Sequence, residues 1–241
     1  MILCIDSGNT RIKWGLRDGE RWLSEGALLQ AEIGELGERL KELPAPDRIM
    51  VANVAGAKAA AAINKAFSGW LRRLRFVQSA AEGGGVVNGY GEPASLGVDR
   101  WCALVGARQR VDTDCLVVGA GTATTIDALS ADGHFLGGLI LPGFDLMRQS
   151  LARHTAGLPL ARGRHEAFPR CTDDAIFSGC LEAQVGAIGR AFARIAAHPG
   201  ALCLLFGGAA PLLAQHLDLP FRQADTLVLD GLFHLAGDDP G

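Results

Sequence analysis

The stretch Ile2-Leu3-Cys4-Ile5-Asp6-Ser7-Gly8-Asn9-Thr10-Arg11-Ile12-Lys13 decides how the rest of the chain is interpreted. An apolar run ends at Asp6, a turn containing Gly8 follows, and a second alternating run begins, which predicts a β-hairpin. The tip of such a hairpin can hold a polyphosphate, because Gly8 permits close backbone approach and Lys13 supplies positive charge. Asp6 can hold a magnesium ion, directly or through water. These residues leave an ordinary edge hairpin open as the alternative.

The composition indicates a folded protein and argues against two classes of partner. The chain has 241 residues, of which 49% are hydrophobic, so it can bury a substantial core. Its formal net charge of -3 gives no electrostatic footprint for nucleic acid or an anionic membrane. The sequence begins with a strand-like segment that lacks the pattern of a signal peptide, and it contains no apolar run of transmembrane length. We therefore expect a cytoplasmic protein.

Predicted strands and helices alternate along the chain, which favours an α/β architecture with helices covering a central sheet. The design of the opening hairpin recurs at Cys115–Leu129, where an apolar strand, a Gly/Thr tip and an alternating strand follow one another. Two hairpins of the same design suggest two related halves, residues 1–110 and 111–241. A long helix is predicted from about Thr172 to His198, where Pro199 and Gly200 end it.

Residues 80–97 are so rich in glycine and proline that they predict a long loop, and long loops in compact domains are often functional. The loop leads into a predicted buried helix with Asp99 and Arg100 in its first turn. A carboxylate there can be functional, or it can only complement the positive end of the helix.

A glycine pair, Gly207-Gly208, lies between the predicted strand 201–206 and the following helix. It can allow a phosphate or a flat ligand to approach the helix N-terminus, or it can form only a tight turn. The residues themselves leave both alternatives open.

Taken together, these motifs resemble the type III pantothenate kinases, in the superfamily of actin, the heat-shock ATPases and sugar kinases. Asp6-Ser-Gly-Asn-Thr-x-x-Lys13 resembles the first phosphate hairpin of the superfamily in the DxGNTxxK form of this family. The segment 121–127 resembles the second phosphate hairpin, and Gly207-Gly208-Ala209 resembles the adenosine loop. Asn88-x-Tyr-x-x-Pro-x-x-Leu-Gly-x-Asp-Arg100 resembles the segment that recognises pantothenate.

The resemblance implies an α/β fold of two duplicated ribonuclease H-like (actin-like) halves, each a mixed sheet flanked by helices, with the ATP cleft between them. It implies ATP-dependent phosphorylation of pantothenate, the first step of coenzyme A biosynthesis, with Mg²⁺. Asp99 would be the general base, and Arg100 would orient Asp99 or bind an anionic group. For ATP and Mg²⁺, the resemblance implies contacts with Asp6, Ser7, Gly8, Asn9, Thr10, Lys13, Thr122, Gly207 and Gly208. For pantothenate, it implies contacts with Asn88, Tyr90, Gly97, Val98, Asp99, Arg100 and Thr172.

The chain departs from the family's pattern at Gly119, where most members carry an aspartate that binds a monovalent cation. Glycine offers no carboxylate, so the implied K⁺ or NH4⁺ requirement can be absent, altered or met by other groups. The role of Asp127 stays open between orienting the metal and a strand-end polar group. The resemblance also implies a homodimer. Two alternatives remain, a kinase for another small hydroxylated substrate and an ATP-binding regulatory protein.

Overall fold

The structure is a computed structural model that describes residues 1–160, 162–197 and 199–238. The chain divides into two compact units. Unit 1 contains Met1–Asp112, Gly133–Phe135 and the C-terminal segment from Thr226, and unit 2 contains Thr113–Asp132 and Leu136–Asp225. The C-terminal segment thus groups with the N-terminal residues, whereas the sequence suggested that it belongs to a half spanning 111–241. The domain boundary near residue 110 stays a prediction.

Strands and helices alternate as the sequence predicted. The strands are β1 Ile2–Ser7, β2 Arg11–Asp18, β3 Arg21–Leu29, β4 Arg48–Asn53, β5 Leu74–Phe76, β6 Glu82–Gly83, β7 Val86–Asn88, β8 Cys115–Ala120, β9 Ala123–Leu129, β10 His134–Pro142, β11 Leu202–Phe206 and β12 Phe221–Gln223. The helices are α1 Leu36–Leu40, α2 Ala57–Ala66, α3 Val98–Arg108, α4 Phe144–His154, α5 Thr172–Phe192, α6 Ala210–Ala214 and α7 Leu227–Asp238. None of the helices described is long and apolar enough to cross a membrane.

The central sheet of unit 1 has the strand order β3-β2-β1-β4-β5. Strands β1, β2 and β3 are antiparallel, whereas β4 and β5 run parallel to β1. Alternate residues of β1 point to opposite faces. Leu3 and Ile5 pack in a core cluster with residues of α1 and α2, so Cys4 and Asp6 project from the other face. This alternation places the Asp6 carboxyl on the face opposite that core.

Unit 2 repeats this design. The second sheet has the order β12-β11-β8-β9-β10-β7-β6, in which β8 pairs with β9 antiparallel and with β11 parallel. Helix α5 covers one face, where Leu181 and Ile188 share a core cluster with Leu116 and Leu205. The fold class predicted from the sequence, an α/β protein with two mixed sheets flanked by helices, is confirmed.

Two segments differ from the sequence prediction. Helix α5 ends at Phe192, because hydrogen-bonded turns replace the helix over 193–197; the predicted end at His198 lies outside the described residues. The predicted loop 80–97 contains the short antiparallel pair β6 and β7. Strand β7 also pairs with the start of β10, where Asn88 stands beside Phe135. This pairing anchors the loop that enters α3.

Candidate active site

The first hairpin forms as predicted and presents two faces with different chemistry. The backbone N–H of Gly8 donates to the carbonyl of Arg11 at 3.0 Å and closes the turn, which leaves Asn9 and Thr10 exposed. Asp6 stands directly opposite Lys13 in the β1–β2 register, so both side chains lie on one face of the sheet. The tip therefore combines a carboxylate, a cation and exposed turn residues.

Ser7 points to the other face of this hairpin. It stands opposite the core residue Ile12 and is 0% exposed, and its hydroxyl has no hydrogen-bond partner among the described residues. The side chain of Ser7 therefore lies on the buried face. Only the backbone groups of Ser7 could make the phosphate contact that the sequence predicted for this residue.

Asp99 lies in the first turn of α3, as predicted, and comes close to Asp6. Its Oδ1 accepts a hydrogen bond of 2.9 Å from the backbone N–H of Arg100. Asp6 keeps part of its surface open to solvent, yet its carboxyl lies deep among protein atoms. Burial, reinforced by the negative charge of Asp99 and opposed by Lys13, raises the pKa of Asp6 to about 7. The negative charge of Asp99 thus acts on Asp6 and favours a cation bound at Asp6.

A buried thiol lies beside the carboxylate pair. Burial first, and then the charges of Asp6 and Asp99, raise the pKa of Cys102 well above its usual value. The thiol therefore stays neutral and offers no anionic ligand. Within the described residues, no group of three or more His, Cys, Asp or Glu side chains could hold a metal ion. A cation at this site would rely on Asp6 and Asp99 together with groups of a substrate.

Asn88 organises the loop that precedes α3. Its side-chain N–H group donates to the carbonyls of Ala80 at 3.0 Å and Pro93 at 3.1 Å, and its Oδ1 accepts from the backbone N–H of Tyr90 at 3.1 Å. Asn88 is only 7% exposed. These bonds use both the nitrogen and the oxygen of the amide, so Asn88 holds the loop in shape. The contact with a substrate that the sequence predicted for Asn88 stays a prediction.

Tyr90 is half-buried, and Arg100 holds its hydroxyl. The guanidinium group of Arg100, which is 6% exposed, donates to the Tyr90 hydroxyl oxygen at 2.9 Å. The same guanidinium lies 5.6 Å from the Tyr90 ring centroid and 5.8 Å from that of Phe135. Arg100 therefore sits against two aromatic rings. The sequence did not identify Phe135, and only the pairing of β7 with β10 shows that it belongs to this cluster.

Three loops converge at the end of β8 in unit 2. The second hairpin closes with a hydrogen bond of 3.0 Å from the Gly121 N–H to the Ala123 carbonyl. The Gly143 N–H donates to the Thr122 carbonyl at 2.9 Å, and a Cβ at residue 143 would lie 2.1 Å from the Gly121 carbonyl oxygen.

The glycine pair completes this arrangement. Gly207 has a φ of +102°, and a Cβ there would lie 2.5 Å from the Ala120 carbonyl oxygen, which also accepts a hydrogen bond from the Ala209 N–H at 3.0 Å. The fold thus places Gly207 against Ala120, at the end of the strand that leads into the second hairpin. A ligand site that joins Thr122, Gly207 and Gly208 stays a prediction.

Gly119 lies in β8 between two neighbours that fill the space of a side chain. A Cβ at this residue would lie 2.9 Å from Cζ of Phe206 and 2.9 Å from Oγ1 of Thr125. The aromatic ring therefore takes up room that a carboxylate at position 119 would need.

Asp127, on β9, is 1% exposed, and Thr172 is the exposed first residue of α5 in unit 2.

Unit 1 also contains a cavity that Val98 and Gln78 line, and no sequence motif pointed to Gln78. Gln78 follows β5, at the sheet edge where β1 ends with Asp6 and Ser7. Ligands of open α/β sheets bind at the carboxyl ends of the strands. The position of Gln78 two residues after a parallel strand is the signal that could have identified it.

Comparisons with known proteins agree on one family. A family profile described as type III pantothenate kinase matches residues 2–194. A type III pantothenate kinase of Dechloromonas aromatica is 53% identical over 236 residues, covering 98% of this chain and 99% of that protein. One from Aromatoleum aromaticum is 54% identical and covers 99% of both chains.

Solved structures agree on the fold. A protein from Campylobacter jejuni, assigned to the Baf family of transcriptional activators, is 21% identical with a TM-score of 0.66, covering 99% of this chain and 98% of that one. Glucokinase from an Antarctic psychrotroph is 12% identical with a TM-score of 0.53 and 99% of each chain covered. At these identities the likeness concerns the fold alone.

Proposed function

The chain belongs to the type III pantothenate kinase family, and we propose how its residues move the γ-phosphoryl group of ATP to the primary hydroxyl of pantothenate. The product, 4'-phosphopantothenate, enters coenzyme A biosynthesis. One observation supports the assignment of roles more than any other. Asp99 and Asp6 interact closely enough that the charge of Asp99 contributes to raising the pKa of Asp6.

Asp99 acts as the general base. Phosphoryl transfer requires alignment and charge neutralisation more than covalent help from the protein. The attacking hydroxyl must lose its proton as the new P–O bond forms, and a carboxylate within hydrogen-bond reach can accept it. The Arg100 N–H that donates to Asp99 Oδ1 fixes the direction of the carboxylate.

Each hairpin by itself offers donors that can bind phosphate. The backbone N–H groups of residues 9 and 10 and the hydroxyl of Thr10 donate to phosphate oxygens, and Lys13 neutralises part of their charge. Ser7 contributes backbone only. In unit 2, Thr122 donates to a phosphate oxygen, while Gly207 and Gly208 leave room for the nucleoside beside the end of β8.

Mg²⁺ fits the donors at the first hairpin. It prefers hard oxygen ligands and usually binds through one or two carboxylates, with waters and substrate phosphates completing its shell. Asp6 would hold the ion, directly or through water, and Asp99 adds negative charge nearby. When bound, the ion neutralises charge on the transferring phosphoryl group.

A monovalent cation fits less well at position 119. Gly119 brings no carboxylate, and the Phe206 ring and the Thr125 hydroxyl stand where a side chain would begin. The residues present therefore do not supply the ligand that the family resemblance implies. No step of the reaction is assigned to K⁺ or NH4⁺.

Pantothenate contacts divide into direct and supporting ones. Gly97 and Val98, which directly precede Asp99 in the chain, contact the substrate together with Tyr90. A contact from Thr172 stays what the family resemblance implies. Arg100 supports Tyr90 through the hydrogen bond between their side chains, and Asn88 supports the loop.

The protein acts as a homodimer through the surface of β10. Leu136, Leu139 and Ile140 are 62%, 42% and 64% exposed, which is an unusual concentration of large apolar side chains on one strand. A second copy of this chain that covers them would remove this surface from water. The cytoplasmic location stays a prediction.

Pantothenate-dependent ADP release from purified protein tests the assignment. Turnover with pantothenate, but not with a panel of sugars and other small alcohols, is the expected result. ATP binding without turnover on any of these compounds would favour the regulatory alternative, and faster turnover on another alcohol would favour a different kinase. Complementation of a strain that lacks pantothenate kinase provides the matching result in cells.

A further inference from the structure

A cavity of about 530 Å³ lies within unit 1 at the carboxyl ends of β4 and β5. Its apolar lining includes Val54, Leu96 and Val98. Its polar lining side chains are Asn53, Gln78 and Ser79. The volume falls within the range of pockets for small molecules. Polar and apolar surface both contribute to its walls, which suits a ligand that carries polar groups beside a hydrocarbon part.

The cavity adjoins the reacting groups. The backbone N–H of Val54 donates to the Ser7 carbonyl at 3.0 Å, and Ser7 directly follows Asp6. Gly97 stands between the lining residues Leu96 and Val98, and a Cβ on it would lie 2.7 Å from Oδ1 of Asp99. The Asp99 carboxylate therefore folds back over the segment that forms one wall.

Two of the three polar lining side chains are already engaged. The Asn53 amide donates to the Gly56 carbonyl at 3.0 Å and accepts from the Ala55 N–H at 3.1 Å. The Ser79 hydroxyl donates to the Leu96 carbonyl at 2.8 Å. Gln78 is exposed, and its amide makes no hydrogen bond among the residues that the structure describes. It is the lining amide still available to a ligand.

We propose that Gln78 determines substrate specificity by binding the polar end of pantothenate in this cavity. This inference rests on the proposed function. The primary hydroxyl of pantothenate lies at one end beside two methyl groups, and an amide and a carboxylate follow toward the other. With the hydroxyl at Asp99, the methyl groups pack against Val54 and Val98, and the Gln78 N–H group donates to the carboxylate.

Steady-state kinetics of Gln78→Glu and Gln78→Leu test this assignment, with Gln223→Glu on exposed β12 as the matched control. Gln78→Glu should raise the KM for pantothenate at least about tenfold, the size expected when a hydrogen bond to a charged group is lost and a like charge is added. Gln78→Leu should raise it several-fold. The kcat and the KM for ATP should stay near the parent values, and Gln223→Glu should match the parent.

Three outcomes would overturn the inference. A KM for pantothenate within twofold of the parent in both Gln78 variants would show that the amide does not contact the substrate. An equal rise in the KM for ATP would place the effect outside this cavity. A parent protein without pantothenate-dependent ADP release would overturn the proposed function, and this inference with it. Results from the Gln78 variants overturn only this inference, so the two failures can be told apart.

Discussion

The guanidinium group of Arg100 donates a hydrogen bond of 2.9 Å to the hydroxyl oxygen of Tyr90. Because this hydroxyl accepts from Arg100, its own proton is left to donate to a substrate. We therefore propose that Arg100 is a positioning residue that acts through Tyr90.

A double-mutant cycle of Tyr90→Phe and Arg100→Lys checks this role. Tyr90→Phe should raise the KM for pantothenate with little change in kcat, since the hydroxyl contacts the substrate and not the reacting atoms. Arg100→Lys should cost clearly less in the Tyr90→Phe background than in the parent, because the two changes interrupt one interaction. Fully additive effects would mean that Arg100 contacts the substrate independently.

Asp6 should make the ligand-free protein less stable as the pH rises from about 4 to 7. In the unfolded chain Asp6 loses its proton near its ordinary pKa of 3.8, whereas the folded protein retains it up to about 7. The folded state thus binds more protons between these values, so the free energy of unfolding falls with pH, by at most about 4 kcal/mol.

Urea unfolding of the parent and of Asp6→Asn at pH 5 and pH 8 measures this effect. The parent should lose more stability than Asp6→Asn over that interval, because asparagine does not titrate. Asp112→Asn, at an exposed carboxyl of the same unit, should behave as the parent does. Parallel curves for all three proteins would contradict the raised pKa.

The motifs predicted the hairpin at Asp6, the second hairpin at Gly121 and the position of Asp99 at a helix start, because each depends on local turn and capping chemistry. They did not predict that Ser7 is buried, since that depends on which strand face meets the core. The amide bonds of Asn88 and the contact between Arg100 and Phe135 depend on distant segments. Local sequence carries no signal for them.

Gly119→Asp should destabilise the protein by about 1–3 kcal/mol, as overpacking of a filled space usually does. The clash is with the Phe206 ring and the Thr125 hydroxyl, each 2.9 Å from the added Cβ. Thermal unfolding of Gly119→Asp, Phe206→Ala and the double variant measures it. The aspartate should lower the stability less when the Phe206 ring is already removed, and an equal loss of stability in both backgrounds would contradict the packing explanation.

We also expect turnover of the parent to differ little between potassium and sodium buffers.

Ile140→Asp should convert the proposed dimer to monomers, because it places a charge in an apolar interface. Sedimentation equilibrium at micromolar concentration provides the measurement. Leu23→Asp, at a comparably exposed leucine on β3 that is 47% exposed, should leave the dimer intact. A monomeric parent, or an Ile140→Asp variant that stays dimeric, would exclude β10 as the interface.

The central claim is that Asp99 removes the proton from the hydroxyl of pantothenate. Single-turnover ADP formation by Asp99→Asn tests it most directly, with ATP affinity measured in parallel and Asp112→Asn as the control. Loss of a general base should slow the chemical step by about 10²–10⁴-fold while ATP affinity and thermal stability stay near those of the parent. A rate within about threefold of the parent would contradict the role assigned to Asp99.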